Sequence, residues 1–182
     1  MFIFPIDQDL SLKLLEKKDI PELFALVDQS RNHLRKWLPW VDGMEKEEDY
    51  EPIIEMWLKQ FAANDGFQVG ILYQNQLAGM IGFHQIDHAN RKTSIGYWLA
   101  DHYQGKGIMT KATEALVDYA FHTLHLNRVE IQCGTENKKS AAIPKRLGFK
   151  KEGIIRDAEY LYDHYHDCAL YSMLRKEYIK EG

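Results

Sequence analysis

The sequence predicts an α/β domain in which a mixed sheet carries helices on its faces. Three observations lead there. Strand-like and helix-like segments follow one another in the order β-α-α-β-β-β-α-β-α-β-β, and a Gly105-Lys106-Gly107 turn marks a strand-to-helix junction. The chain of 182 residues fits one compact domain, residues 1–182, with a sizeable core.

Taken in order, Leu10 to Leu15 reads as a short strand. Asp19 followed by Ile20 and Pro21 is a helix start, since proline costs nothing in a first turn whose N–H groups are unpaired. Leu23, Phe24, Leu26 and Val27 give that helix one apolar side, and Trp37-Leu38-Pro39-Trp40 interrupts it. A second helix is expected from about Lys46 to Asn64, closed by Asp65-Gly66. Phe67 to Tyr73 and Leu77 to Ile86 are strands joined by a turn at Gln74-Asn75-Gln76, and Lys92 to Leu99 is a third strand. After the glycine turn, Ile108, Ala112, Ala115, Leu116, Tyr119 and Ala120 recur at three- and four-residue spacing, which places them on one helix face. Arg128 to Thr135 is a strand, Lys138 to Leu147 a short helix, and two last strands bracket Asp163 to His166.

Composition narrows the function classes. A formal net charge of −4 argues against a nucleic-acid partner, because neutralising phosphates needs a basic stripe. It biases the surface mildly toward cationic acceptors. No apolar stretch approaches the roughly 20 residues that cross a bilayer, and Met1 to Leu10 has no basic n-region, so neither a membrane partner nor secretion is expected. Two cysteines, Cys133 and Cys168, show no metal-type spacing and suit a reducing cytoplasm as small core thiols. Asp163-His164-Tyr165-His166-Asp167 places alternate side chains on one strand face, but no neighbouring Cys or His cluster completes a set, so no metal is expected.

The chemistry concentrates in two segments. Tyr103-Gln104-Gly105-Lys106-Gly107-Ile108 precedes a helix whose first turn offers unpaired N–H groups and partial positive charge. Glycines admit a bulky anion to the backbone and Lys106 adds a formal charge, so the natural guest is a phosphate or pyrophosphate. Alone, the pattern suits a plain tight turn as well. The second segment is Asn137-Lys138-Lys139-Ser140, leading through Arg146 to Leu147-Gly148-Phe149. It begins thirty-three residues after Gln104.

Together the two segments resemble the paired motifs of the GNAT acetyltransferase superfamily, a Q-x-x-G-x-G/A pyrophosphate loop and an N-x-x-(A/S)…L-G-F helix and strand. Leu12 to Leu15 with Trp37-Leu38-Pro39-Trp40, Ile95-Gly96-Tyr97-Trp98-Leu99 and Asp157-Ala158-Glu159-Tyr160 are similar to the Rim-type branch, which acetylates ribosomal-protein N-termini. The resemblance implies a mostly antiparallel sheet of about seven strands whose central strands, Ser94 to Ala100 and Arg128 to Thr135, splay apart around a pantetheine arm. It implies acetyl-CoA as co-substrate, with Gln104, Gly105, Lys106, Gly107, Ile108, Met109, Asn137 and Ser140 as its contacts and the Leu99 N–H beside the thioester oxygen. It also implies a homodimer. Two positions depart from the pattern. Met109 stands where the loop prefers Gly or Ala, so its side chain must point away from the phosphates. Pro144 replaces the tyrosine that in many members protonates the departing thiolate, and its missing N–H frees the Ser140 carbonyl.

Transfer requires a neutral amine. At pH 7 an α-amine of pKa about 7.8 is roughly one-seventh neutral, against about one lysine side chain in 2,500, a gap of about 3.5 kcal/mol. By resemblance Glu159 is the general base, acting through a water, and Ser140 hydrogen-bonds the thiol sulfur; their plainer roles are a solvated strand glutamate and a first-turn helix serine. Trp37 and Trp40 either line the acceptor mouth with Glu159 or pack between helices. The acidic run from Glu45 to Glu55 is a solvated helix face or a rim for a basic tail. The leading expectation is acetyl transfer to a protein or peptide N-terminus. A small amine such as a polyamine or aminoglycoside is the first alternative, and a CoA sensor without turnover the second.

Overall fold

The computed structural model describes residues 2–179. Its strands are β1 (Ile3–Pro5), β2 (Leu10–Leu14), β3 (Phe67–Tyr73), β4 (Gln76–Asp87), β5 (Lys92–Leu99), β6 (Arg128–Gly134), β7 (Lys150–Leu161) and β8 (His164–Leu174). They form one sheet in the order β1-β2-β3-β4-β5-β6-β8-β7, antiparallel at every junction except β5 with β6. The helices are α1 (Ile20–Gln29), α2 (Arg31–Leu34), α3 (Glu51–Ala62), α4 (Ile108–Asp118), α5 (Lys138–Arg146) and α6 (Arg175–Tyr178). The α1 and α3 helices pack against β4 and β3 respectively, α4 against β2, β4 and β5, and α5 against β6 and β8.

The expected mixed, mostly antiparallel sheet is present, with eight strands in place of seven. The additional strand is β1, where Ile3 and Phe4 remain 44% and 50% exposed. With no buried face it carries no period-two signal, and only its ladder to β2 identifies it. The last hairpin is also tighter than expected. Its turn is Tyr162-Asp163, with Tyr162 at φ +57°, so His164 and His166 belong to β8. The second helix opens with a 3-10 turn at Glu47–Tyr50 before α3 begins. The helix after the glycine turn buries the predicted face positions Ile108, Ala112, Leu116 and Ala120, while Ala115 and Tyr119 at the edge of that face are half-buried. It then runs into a π-turn at Tyr119–Thr123, whose extra residue shifts the phase and buries Phe121 as well.

One feature of the sheet creates the site. Strand β5 pairs with β6 only at Lys92↔Arg128, Thr93↔Val129 and Ser94↔Glu130. Beyond that point β5 stays with β4 as far as Gly79↔Leu99, while β6 stays with β8 as far as Gly134↔Cys168. Each central strand keeps its outer partner and leaves its inner one, so a wedge opens in mid-sheet.

Beside the narrow end of that wedge, an ion network ties β6 to β7 and β8. Arg128 donates from Nε to Glu130 at 2.7 Å and from both Nη atoms to the two Glu152 oxygens at 2.6 Å, and Ser172 Oγ also donates to Glu152 at 2.6 Å. These bonds, Arg128 first and then Ser172, hold the Glu152 carboxyl down to about 2 from its ordinary 4.5. A depressed folded pKa adds stability above the unfolded value and loses it as pH falls through the folded one. Acid titration of the melting temperature is therefore expected to show a loss between pH 4.5 and about 2 that is smaller in Glu152→Gln. The side chain is 40% exposed, so solvent screening keeps this step modest.

Candidate active site

A cavity of about 1890 Å³ occupies the wedge and continues under the loop after α2. Its lining includes Leu99, Gln104 to Met109, Asn137, Ser140, Trp37, Trp40 and Glu159, so the fold gathers every residue that the sequence nominates around one space.

At one end lies the glycine loop. Gly105 and Gly107 have φ of +77° and +74°, a region that side chains disfavour, and a Cβ at either would meet nothing within 4 Å. The glycines thus serve the backbone turn and leave the approach open. Gly107 caps α4, whose first closing bond is Lys111 N–H to the Gly107 carbonyl at 3.1 Å, leaving the N–H groups of Ile108, Met109 and Thr110 without helical partners. Met109 is 6% exposed and packs in the core, so the departure at this position does not obstruct the loop. Lys106, Lys111, Lys138, Lys139 and Arg146 also line this end, a local cationic mouth on a chain of net charge −4. Gln104 ties its walls together: Oε1 accepts from Lys139 Nζ at 2.7 Å, and Nε2 lies 2.6 Å from His33 Nε2. Burial holds the His33 imidazole below its ordinary pKa, which favours the neutral, accepting form that this amide needs.

In the wedge the sheet offers unpaired main chain. Ala100 N–H donates to the Ala78 carbonyl at 2.9 Å, and alternation along the β4–β5 ladder then aims the N–H groups of Tyr97 and Leu99 at the gap left by β6. A pantetheine arm with two amides fits such an edge as an added strand would.

At the inner wall Asn137 is the N-cap of α5, its Oδ1 accepting the Ser140 N–H at 3.1 Å. Its side chain therefore shapes the helix start. The Ser140 hydroxyl does not cap; it donates to Tyr97 Oη at 3.3 Å, while Tyr97 Oη donates to the Ser140 carbonyl at 3.1 Å. Tyr97 lies inside a motif quoted above, yet nothing in the sequence marks it for a contact 43 residues away.

The far end holds Glu159. Its Oε2 is 2.9 Å from His166 Nε2, and Cys168 Sγ is 3.8 Å from the same nitrogen. The expectation that no cysteine joins the histidine segment is corrected here: Cys168, two residues beyond His166 on one strand face, brings the three ligand-type atoms within 4.8 Å of one another. Burial, then the Glu159 charge, lifts the Cys168 thiol to about 11, so at neutral pH it is protonated and a poor ligand or nucleophile. Burial likewise raises the Cys133 thiol. His84 also lines the cavity; burial lowers its pKa against a smaller opposing effect of Glu159. A Cβ at Gly96 would stand 2.0 Å from His84 Nε2, so a side chain at this strand position would displace the imidazole.

The loop after α2 roofs this end. Tyr162 Oη donates to the Leu38 carbonyl at 2.6 Å, the Arg35 guanidinium lies 4.0 Å over the Tyr162 ring, and Trp40 meets Trp98 at 6.1 Å between ring centroids. Trp37 and Trp40 are half-buried and line the cavity, and Trp40 packs on Trp98 of β5 instead of between the helices.

Comparison with known proteins places this geometry. Residues 9–150 match the family model described as Acetyltransferase (GNAT) domain. YdaF of Bacillus subtilis (strain 168), named as a candidate ribosomal N-acetyltransferase, is 41% identical over 182 residues, covering 100% of both chains. Among solved structures, the microcin C7 self immunity acetyltransferase MccE, in complex with acetyl-CoA and AMP, is 32% identical with a TM-score of 0.89 over 93% of this chain and 94% of its own. RimL, a ribosomal L7/L12 alpha-N-protein acetyltransferase in complex with coenzyme A, is 28% identical with a TM-score of 0.92 over 97% of this chain and 99% of its own.

Proposed function

Since this chain belongs to the GNAT acetyltransferase family and is an acetyl-CoA-dependent N-acetyltransferase, we propose that its acceptor is the α-amine of a protein or peptide N-terminus, a ribosomal protein foremost. One observation carries the reading: Glu159, bonded to His166, faces the same cavity as the glycine loop and Ser140. The relation to RimL, which acts on a protein α-amine, supports the same choice.

In this reading the cationic glycine loop anchors the pyrophosphate and the free edge of β5 aligns the pantetheine, which fixes the thioester at the inner end of the wedge. Glu159, oriented by His166, accepts the amine proton through a water as the nitrogen attacks the carbonyl carbon. The Leu99 N–H stabilises charge on the carbonyl oxygen. The C–S bond then breaks, and the Ser140 hydroxyl donates a hydrogen bond to the departing sulfur. Ser140→Ala is expected to lower kcat roughly threefold to tenfold, the worth of one such bond, with little change in the KM for acetyl-CoA.

Thiol release from acetyl-CoA against a mixed acceptor panel tests the assignment, with mass spectrometry locating the acetyl group. Acetyl on the α-amine of peptides starting with Ser, Ala or Met is the expected result. Acetyl only on polyamines or aminoglycosides would overturn the protein acceptor and keep the donor chemistry. Bound CoA with no transfer to any amine would favour a sensor.

A further inference from the structure

Pro144 lies within α5, four residues after Ser140, and has no N–H to give. The Ser140 carbonyl therefore lacks its helical donor, and a main-chain acceptor of this kind needs a partner from elsewhere. Here the partner comes from the opposite side of the wedge. Tyr97 Oη, on the part of β5 that has left β6, stands 3.1 Å from the Ser140 carbonyl oxygen and 3.3 Å from Ser140 Oγ. One hydroxyl thus grips one residue twice, donating to its carbonyl and accepting from its side chain.

We propose that Tyr97 is a positioning residue for the leaving-group end of the site: anchored on the carbonyl that Pro144 leaves unpaired, it holds the Ser140 hydroxyl toward the wedge, where the CoA sulfur is released. Without it, the Ser140 hydroxyl in the first turn of α5 rotates freely among other acceptors, and its hydrogen has no fixed aim into the wedge. With it, rotation about the Cβ–Oγ bond re-aims the hydrogen from Tyr97 Oη to sulfur, and no heavy atom moves. The tyrosine itself gives up no proton. Burial drives its hydroxyl far above the usual tyrosine range, so it stays neutral and works as a hydrogen-bonding group. Proline at 144 and tyrosine at 97 are then two halves of one device, the first creating the acceptor that fixes the second. The proposal rests on the sulfur-facing role of Ser140 given above.

Steady-state kinetics of Tyr97→Phe, Ser140→Ala and the double variant test it, each with acetyl-CoA and with an acetyl thioester of a more acidic aryl thiol. Tyr97→Phe is expected to lower kcat by about threefold with acetyl-CoA, no more than Ser140→Ala does, with KM for the donor within about twofold and the shape of the pH profile unchanged. The loss should shrink with the aryl thioester, whose sulfur leaves with less help, and the double variant should be no slower than Ser140→Ala alone. Losses that multiply in the double variant, or that are equal for both donors, would overturn the proposal. So would a displaced alkaline limb, which would make Tyr97 a proton donor. If Ser140→Ala is fully active, both the Ser140 role and this proposal fall, while acetyl transfer stands.

A structural effect is separated by adding Pro144→Ala to Tyr97→Phe, which returns an N–H to the Ser140 carbonyl. Recovery of the melting temperature without recovery of kcat is the expected result. Recovery of both would reduce Tyr97 to a helix support.

Discussion

Asp19→Ala is expected to lower the unfolding free energy by about 3–5 kcal/mol, a large part of the 5–15 kcal/mol typical of a domain. Lys13 on β2 and Asp19 before α1 are both buried, at 8% and 7% exposure, and their charged atoms meet at 2.7 Å. Asp19 also accepts the Glu16 N–H at 2.9 Å, fixing the turn that launches α1. Removing the carboxylate leaves a buried ammonium group unpaired and orphans that N–H. Urea unfolding is the measurement, and the midpoint should fall while the slope stays constant, since the surface exposed on unfolding is unchanged. Lys13→Met combined with Asp19→Ala should recover most of the loss, because the uncompensated charge goes with its partner. A loss under about 1 kcal/mol in the single variant would mean that Lys13 reaches water when released.

The second large effect is on turnover. Glu159→Gln is expected to lower kcat by about 10²–10⁴-fold, the usual contribution of a positioned base. The dissociation constant for acetyl-CoA should hold, because the glycine loop and Lys106 lie at the other end of the cavity. The deficit should narrow above about pH 8, where an acceptor α-amine of pKa about 7.8 is neutral without help. A rate matching the unsubstituted enzyme at every pH would remove Glu159 from the mechanism. His166→Gln is the companion measurement: a smaller loss is expected, since the carboxylate remains but loses the imidazole that orients it.

What the sequence made legible follows from how each feature is encoded. The glycine loop and the Asn137 to Ser140 turn act through main chain held by local rules, left-handed glycines and an N-cap, so a few adjacent residues announce them. The helices and inner strands declare themselves by burial period. Partnerships across the sheet are different, because they depend on register. Glu159 faces His166 only because β7 carries two extra residues between Ile155↔Cys168 and Glu159↔His166, with Asp157 at φ +48° and its N–H on Asp167 Oδ1 at 2.9 Å. In a regular ladder Asp157 would occupy that place, so neither the dyad nor the approach of Cys168 is written in any local pattern. Tyr97 on Ser140 is hidden for the same reason, and β1 because neither of its faces is covered.

Only three residue pairs join β5 to β6, so a pantetheine bound as proposed above is also a mechanical bridge between two half-sheets. Ligand that binds the folded chain alone raises its stability with the logarithm of its concentration. Yet the arm and the pyrophosphate that do the bridging are the same in acetyl-CoA and in free CoA. The enzyme therefore ends each cycle still clasped by its spent donor. Release of CoA, which removes that bridge, is expected to compete with chemistry as the slow step, and free CoA to inhibit at concentrations near those at which acetyl-CoA saturates. Such an enzyme answers to the ratio of charged to uncharged carrier more than to the amount of either, a sensitivity that follows from where two strands part.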